Sequence, residues 1–290
     1  MDDGSRDDTL AWLARSHPWV GPVARGANEG FGAAANAGVA AARHRLVVLL
    51  NNDMRVDQDF LAPLLAPFAS WEGLFATTPH ISNRSFGGDE AVTACTFRLG
   101  LFETVFPRRC GAEENLGGRV QSERGRESGV AEILFACGGA AAFDRALWLA
   151  LGGLDPLYAP FYWEDVDLSW RARKRGWLVA HVPDSIVHHE HSATIGTRFD
   201  PRRVRAIYER NRLLFQWKNL TSARLTLRHL AWMPIRLVHA AARRPEFLRG
   251  FGMALGRVQD ARRARRIERT MMKLTDDAIL ARFGSARESS

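Results

Sequence analysis

The chain has 290 residues, 46% hydrophobic and 25% charged, enough to bury one large or two small cores, which excludes a disordered polymer. Its three cysteines, Cys95, Cys110 and Cys137, are too few and too scattered for a disulfide framework or a metal knuckle, and they suit a reducing compartment. The net charge of +8 is uneven: residues 202–269 hold 18 Lys/Arg against 4 Asp/Glu, so a basic tail of net +14 follows a body of net −6 and suits an anionic surface. No stretch reaches the roughly 18–20 apolar residues of a membrane span, and Asp2-Asp3 directly after Met1 gives no signal-peptide pattern.

The chain opens on a turn, Asp2-Asp3-Gly4-Ser5, and Asp7 or Asp8 caps the helix that follows. Asn28-Glu29-Gly30-Phe31-Gly32 leads into an Ala-rich helix ending near Arg45. This pattern suits either backbone approaching a phosphate or close packing on a sheet. Leu46–Leu50 is a continuous apolar run, expected as a strand buried on both faces of a parallel sheet. It ends in Asn51-Asn52-Asp53, where open α/β sheets bind ligands, so Asp53 is a candidate for a hard cation such as Mg2+ or Mn2+.

Residues 57–72 have helical spacing, with a kink expected at Pro67, and 74–78 reads as a strand. From 80 to 129 the pattern dissolves; Arg108, Arg109, Arg119, Arg124 and Arg126 lie there as phosphate-reaching or solvated charges. Residues 130–135 read as a strand. The small residues 137–142 then suggest a pocket lined by backbone, and a helix covers 145–151. An aromatic loop, Phe161-Tyr162-Trp163, delivers three carboxylates, Glu164, Asp165 and Asp167, at the start of a helix expected over 166–175. A strand follows over 177–182, with Pro183-Asp184 as a turn, then a His188-His189-Glu190-His191 cluster whose spacing fits no zinc motif. From 204 the chain is helical and basic, with an apolar stripe at Leu227, Leu230, Ala231, Pro234 and Val238 that suits a helix lying in a membrane interface. Residues from Gly284 onward read as disordered.

Taken in order, Asp-Asp-Gly-Ser, Asn-x-Gly-Phe-Gly, Leu-Leu-Asn-Asn-Asp, Gly-Gly-x3-Phe, Gly-Gly-Leu-Asp and Glu-Asp-Val-Asp-Leu-x-x-Arg resemble family-2 inverting glycosyltransferases of the GT-A fold. The branch that includes bacterial rhamnosyltransferases and galactofuranosyltransferases is the most similar. Across residues 2–215 the resemblance implies an α/β, Rossmann-like mixed sheet flanked by helices. The core would span 1–200 and a basic α-helical extension 201–290. It implies Asp165 as general base with Glu164 in support. Donor contacts would come from Asp3, Asn28, Gly30, Asn36 and Asn52, and a Mn2+ or Mg2+ site from Asp53, Asn51 and His189, with His188 and His191 as competitors. Acceptor contacts would fall at Gly138, Gly139, Trp163 and Asp167, and Arg210-Asn211 matches a pair that follows the core.

The family begins with a strand, a helix and a second strand before the Asp-Gly-Ser turn, so an N-terminally truncated core is expected here. The expected activity is metal-dependent, inverting transfer of a sugar from a nucleotide-sugar to a hydroxyl of a glycan or lipid-linked acceptor in cell-envelope synthesis. The expected place is cytoplasmic, peripheral on an anionic membrane at its inner face. Nothing resembles a nucleic-acid reader module. The alternative is a catalytically inactive transferase-like module that binds a membrane or partner.

Overall fold

The computed structural model describes residues 1–83, 88–106, 129–189 and 199–284. Arg108, Arg109, Arg119, Arg124, Arg126, His191 and the last six residues lie outside them. The chain runs α1 (Thr9–Ser16), α2 (Phe31–Ala41), β1 (Leu46–Leu50), β2 (Met54–Val56), α3 (Leu61–Leu65), α4 (Pro67–Ser70), β3 (Leu74–Asn83), β4 (Gly88–Asp89), β5 (Ala94–Arg98) and β6 (Leu101–Val105). It continues through β7 (Ala131–Glu132), β8 (Ala140–Asp144), α5 (Arg145–Ala150), a 3-10 turn at Pro156–Tyr158, α6 (Glu164–Lys174) and β9 (Leu178–His189). Five helices close it: α7 (Pro201–Asn219), α8 (Ala223–Arg243), α9 (Pro245–Leu255), α10 (Val258–Met271) and α11 (Asp276–Phe283).

The main sheet has the order β1-β8-β3-β9-β2, with β4 on β3 and β7 on β9. Among the described strands of this sheet, β3 and β9 pair in parallel and every other pair is antiparallel, so the sheet is mixed. Helix α2 packs on one face through Ala35 and Val39, which share a core with Val47, Phe75, Phe143, Trp148 and Leu168. Its small residues let the helix axis sit close to the sheet.

Several expectations change. β1 is not buried on both faces of a parallel sheet: it is an end strand paired antiparallel to β8, and Val48 and Leu50 are 36% and 43% exposed. An apolar run alone cannot distinguish a central strand from an end strand. The helix read over 57–72 divides into α3 and α4 at Pro67, which starts the second piece. The strand read over 130–135 shortens to β7: after Ile133 the chain leaves β9, and the N–H groups of Leu134 and Phe135 go to the carbonyl and hydroxyl of Thr93. Pro183-Asp184 is not a turn: β9 runs through it, absorbing the missing proline N–H in a break of register opposite Pro79 and His80. The unpatterned stretch after 80 contains a buried hairpin, β5–β6, turned by Leu99-Gly100 with φ of 48° and 77°.

That hairpin, α6 and α7 share the largest core: Phe97, Leu101 and Phe102 meet Trp163, Trp170, Leu213, Leu214 and Phe215. Helix α7 is therefore an interior element of the core. Among the described residues no helix is long and apolar enough to cross a membrane.

Candidate active site

The site begins with backbone strain. Tyr162 and Trp163 hold φ of 72° and 77°, left-handed values that cost non-glycine residues on the order of 1–3 kcal/mol each. Asn211, fully buried on α7, holds the turn: its Nδ2 lies 2.7, 2.9 and 2.9 Å from the carbonyl oxygens of Tyr158, Phe161 and Tyr162. Its Oδ1 accepts from Arg210 Nε at 2.8 Å, and Arg210 Nη2 also donates to the Ala159 carbonyl. The Arg-Asn pair is thus a clamp on the loop that presents Glu164 and Asp165.

Asp165 Oδ2 accepts the Gly138 N–H at 3.0 Å, and its Oδ1 accepts the Val166 N–H at 2.8 Å. A Cβ on Gly138 would stand 3.2 Å from the Asp165 Cβ, so this approach requires a very small residue. Burial raises the Asp165 carboxyl above its ordinary range, against the lowering effect of the two N–H groups. Burial, then the neighbouring Asp165 charge, pushes Glu164 up to about 8, and its Oε2 is buried without a hydrogen-bond partner.

The next residue faces the other half of the site. Gly139 lies against Asn51, whose N–H donates to the Gly139 carbonyl at 2.8 Å. Asn51-Asn52-Asp53 turns from β1 into β2, and the β2–β9 register pairs Met54 with His189. His189 Nε2 is thereby 3.6 Å from Asp53 Oδ2, while its Nδ1 is 2.9 Å from Glu90 Oε2. Asp53 Oδ1 is buried with no partner. An orphaned carboxylate oxygen, an imidazole nitrogen oriented from behind by a carboxylate, and a nearby amide fit a Mn2+ or Mg2+ centre. His188 turns to the opposite face and meets Asp57 at 2.9 Å. Asn52 is exposed. Glu90 was missed in the sequence because its stretch has no periodicity.

Among the residues expected to contact a donor, Asp3 accepts the N–H groups of Glu29 and Gly30 at 3.0 and 2.8 Å, fixing the loop that holds Asn28. Asn36 exchanges two hydrogen bonds of 2.8 Å with the backbone of Leu154. A cavity of about 220 Å³ brings Gly30 and Asn36 alongside Pro160 and Glu164. The side chains of Asp3 and Asn36 thus brace the wall of this cavity from behind.

Two acceptor expectations are corrected. Asp167 is fully buried and accepts from Tyr158 Oη at 2.8 Å, Arg171 Nε at 2.7 Å and Asn219 Nδ2 at 2.7 Å, with Lys218 Nζ at 2.8 Å. The i to i+4 spacing puts Asp167 and Arg171 on one face of α6, here the buried one, and their partners leave no face open for an acceptor. Trp163 is 3% exposed, its ring packed on Phe102, Tyr208 and Phe215. Gly138 and Gly139 do lie at the site, where they set the spacing of its two halves.

A sequence profile described as glycosyltransferase like family 2 matches residues 3–212. Over 246 residues the chain is 26% identical to N-acetylglucosaminyl-diphospho-decaprenol L-rhamnosyltransferase of Mycobacterium tuberculosis, spanning 80% of this chain and 75% of that protein. Among solved structures it is similar to GalNAc-T7 with UDP, GalNAc and Mn2+, at a TM-score of 0.53 and 16% identity over 83% of this chain. The chain spans 50% of the length of that structure, and the likeness is one of fold. A mannosyltransferase from Pyrobaculum calidifontis in complex with GDP-Man and Mn2+ aligns over 93% of this chain and 74% of its own, at 17% identity and a TM-score of 0.46.

Proposed function

The chain belongs to the glycosyltransferase like family 2, in its rhamnosyltransferase-like branch, and from that premise we propose which sugar transfer it performs and how. The reading is transfer of a sugar from a nucleoside-diphosphate donor to a hydroxyl of a glycan or lipid-linked acceptor in cell-envelope synthesis, with inversion at the anomeric carbon. The observation that carries it is the Gly138-Gly139 dipeptide: one glycine holds the Asp165 carboxylate, and the next abuts the Asn51–Asp53 turn. A base and a charge-binding turn on either side of two residues suit a direct displacement, in which nucleophile and leaving group stand on opposite faces of the sugar.

In this reading Asp165 takes the proton of the attacking hydroxyl. Its raised carboxyl makes it a stronger base than an exposed aspartate, while the Gly138 N–H keeps one oxygen aligned. Glu164, held neutral at pH 7, places no second negative charge beside the base. Asp53, His189 and Asn51 would hold Mn2+ or Mg2+, which when bound neutralises charge developing on the departing diphosphate. Asn28, Gly30 and Asn52 would contact the donor, with Asp3 and Asn36 bracing their loops. The exposed apolar stripe on α8, flanked by arginines, supports peripheral attachment to the cytoplasmic face of an anionic membrane.

The test is transfer from a panel of nucleotide-sugars with Mn2+ present. Asp165→Asn should lower kcat by roughly 10²–10⁴-fold with donor affinity kept. Unchanged kcat in that variant would remove Asp165 from the role of base.

A further inference from the structure

A second cluster of metal-binding side chains lies outside the site described. His80 on β3, Asp89 on β4 and His181 on β9 bring one ligand atom each within 4.8 Å of the others. Asp89 Oδ2 stands at the centre, 2.6 Å from His80 Nδ1 and 2.9 Å from His181 Nε2. The carboxylate is fixed from behind, because its Oδ1 accepts the N–H groups of Ile81 and Ala91 at 3.0 and 2.8 Å. His181 is 5% exposed, and its Nε2 lies close to Asp89 yet satisfies no hydrogen-bond geometry, so its ring nitrogen is buried without a well-aligned partner. The 2.9 Å contact with Asp89 is thus an ion pair of imperfect alignment, which a cation between the two groups would satisfy better.

We propose that His80, Asp89 and His181 form a binding site for a borderline divalent cation of the Zn2+ class, separate from Asp53 and His189. Two imidazoles and one carboxylate are a zinc-type donor set, with water completing the tetrahedron. Ligand atoms about 2.0–2.1 Å from a tetrahedral ion stand roughly 3.3 Å apart, so the two contacts to Asp89 would open by about half an ångström and the two imidazole nitrogens, within 4.8 Å of each other, would settle to the same spacing. His80, whose side chain is 36% exposed, is the path of entry. Asp89-Glu90 joins this cluster to the other: Asp89 serves the cation, while Glu90 backs His189. A cation here would tie β3, β4 and β9 together and fix the turn that orients His189.

The experiment titrates Co2+, as a spectroscopic probe, into the full chain freed of metal by chelator, and repeats the titration with Zn2+ by calorimetry. Asp53→Asn removes the other candidate centre. In that background the visible bands of a four-coordinate N/O cobalt site should appear with one equivalent, and Zn2+ should abolish them by competition. His80→Gln, at the rim and therefore tolerant of change, should weaken binding at least tenfold with an unchanged circular-dichroism spectrum. His80→Cys should retain binding and add a thiolate-to-cobalt band in the near ultraviolet, which a purely structural histidine would not produce. No binding in the Asp53→Asn background, equal affinity in His80→Gln, or a missing thiolate band in His80→Cys would each overturn the proposal. None of these outcomes depends on sugar transfer, so the site stands or falls apart from the proposed activity.

Discussion

Glu164 and Asp165 are neighbours in sequence held in different surroundings. Folding favours the neutral form of Glu164: burial and the Asp165 charge raise its carboxyl to about 8, whereas the unfolded chain releases that proton near 4.3. Between those values the native state binds more protons than the unfolded state, so stability falls as pH rises, by up to about 1.4 kcal/mol per pH unit. Glu164→Gln should remove that slope and leave the protein more stable than wild type at pH 8. Urea midpoints of the two proteins from pH 5 to 9 check this, and parallel profiles would count against a neutral Glu164. The acids themselves were plain in the sequence as a carboxylate cluster beside aromatics. Their different surroundings were not, because they depend on Gly138, distant in sequence, donating to one and not the other.

At the scale of elements, the turn that presents Asp165, the proposed base, is held by a helix distant in sequence. Asn211 on α7 is the clamp on the Tyr162–Trp163 turn, so Asn211→Leu, similar in size but without donors, leaves buried carbonyls unpaired at a cost of about 1–3 kcal/mol. The expected outcome is a lower urea midpoint together with a fall in kcat per folded molecule. If kcat holds while stability falls, Asn211 supports the fold and not the alignment of the base. Helix α8 offers a different surface: Leu227, Leu230, Ile235 and Val238 are 58–75% exposed on a helix without acidic residues. Replacing Leu227, Leu230 and Val238 together with Glu should release the protein from vesicles containing anionic lipid, with transfer to a water-soluble acceptor unchanged; co-sedimentation reads the first and product formation the second.

Element by element, the glycines after α5 and α6 and the run of small residues in α2 made these helices legible from residues alone, although α2 ends at Ala41 and not near Arg45. The β5–β6 hairpin was not, although Thr96, Phe97 and Phe102 flank a Leu-Gly turn, because arginine-rich and glycine-rich sequence on both sides masked a short alternation. The end position of β1 depends on which strands are its neighbours, a property no local pattern contains.

For the whole molecule, buried charges tie α6 to α7. Burial alone would raise the Asp167 carboxyl, but Arg171 and Lys218 outweigh it and hold it well below the usual carboxylate range. Its contribution is therefore complete above about pH 4, the ordinary range of an unfolded aspartate, and is lost only as acid drives the pH down towards the folded value. Lys218→Met leaves Asp155 and Asp167 without their shared cation and should cost about 3–5 kcal/mol, measured by denaturant unfolding at neutral pH. A change under 1 kcal/mol would mean that Arg171 alone is sufficient. The matched family region ends at residue 212, yet Lys218 and Asn219 lie beyond it and complete this network.

The clamp has a kinetic consequence as well. The backbone amides of α6, the turn before it and α7 are joined by buried bonds that cannot open one at a time. Under native conditions they should exchange hydrogen for deuterium as one cooperative unit, while α1, which buries none of its residues, exchanges far sooner. The Tyr162–Trp163 turn would then lose its shape only in the same rare opening that frees α7, and a chain cut at residue 200 would retain Asp165 without the rigidity that holds it in place.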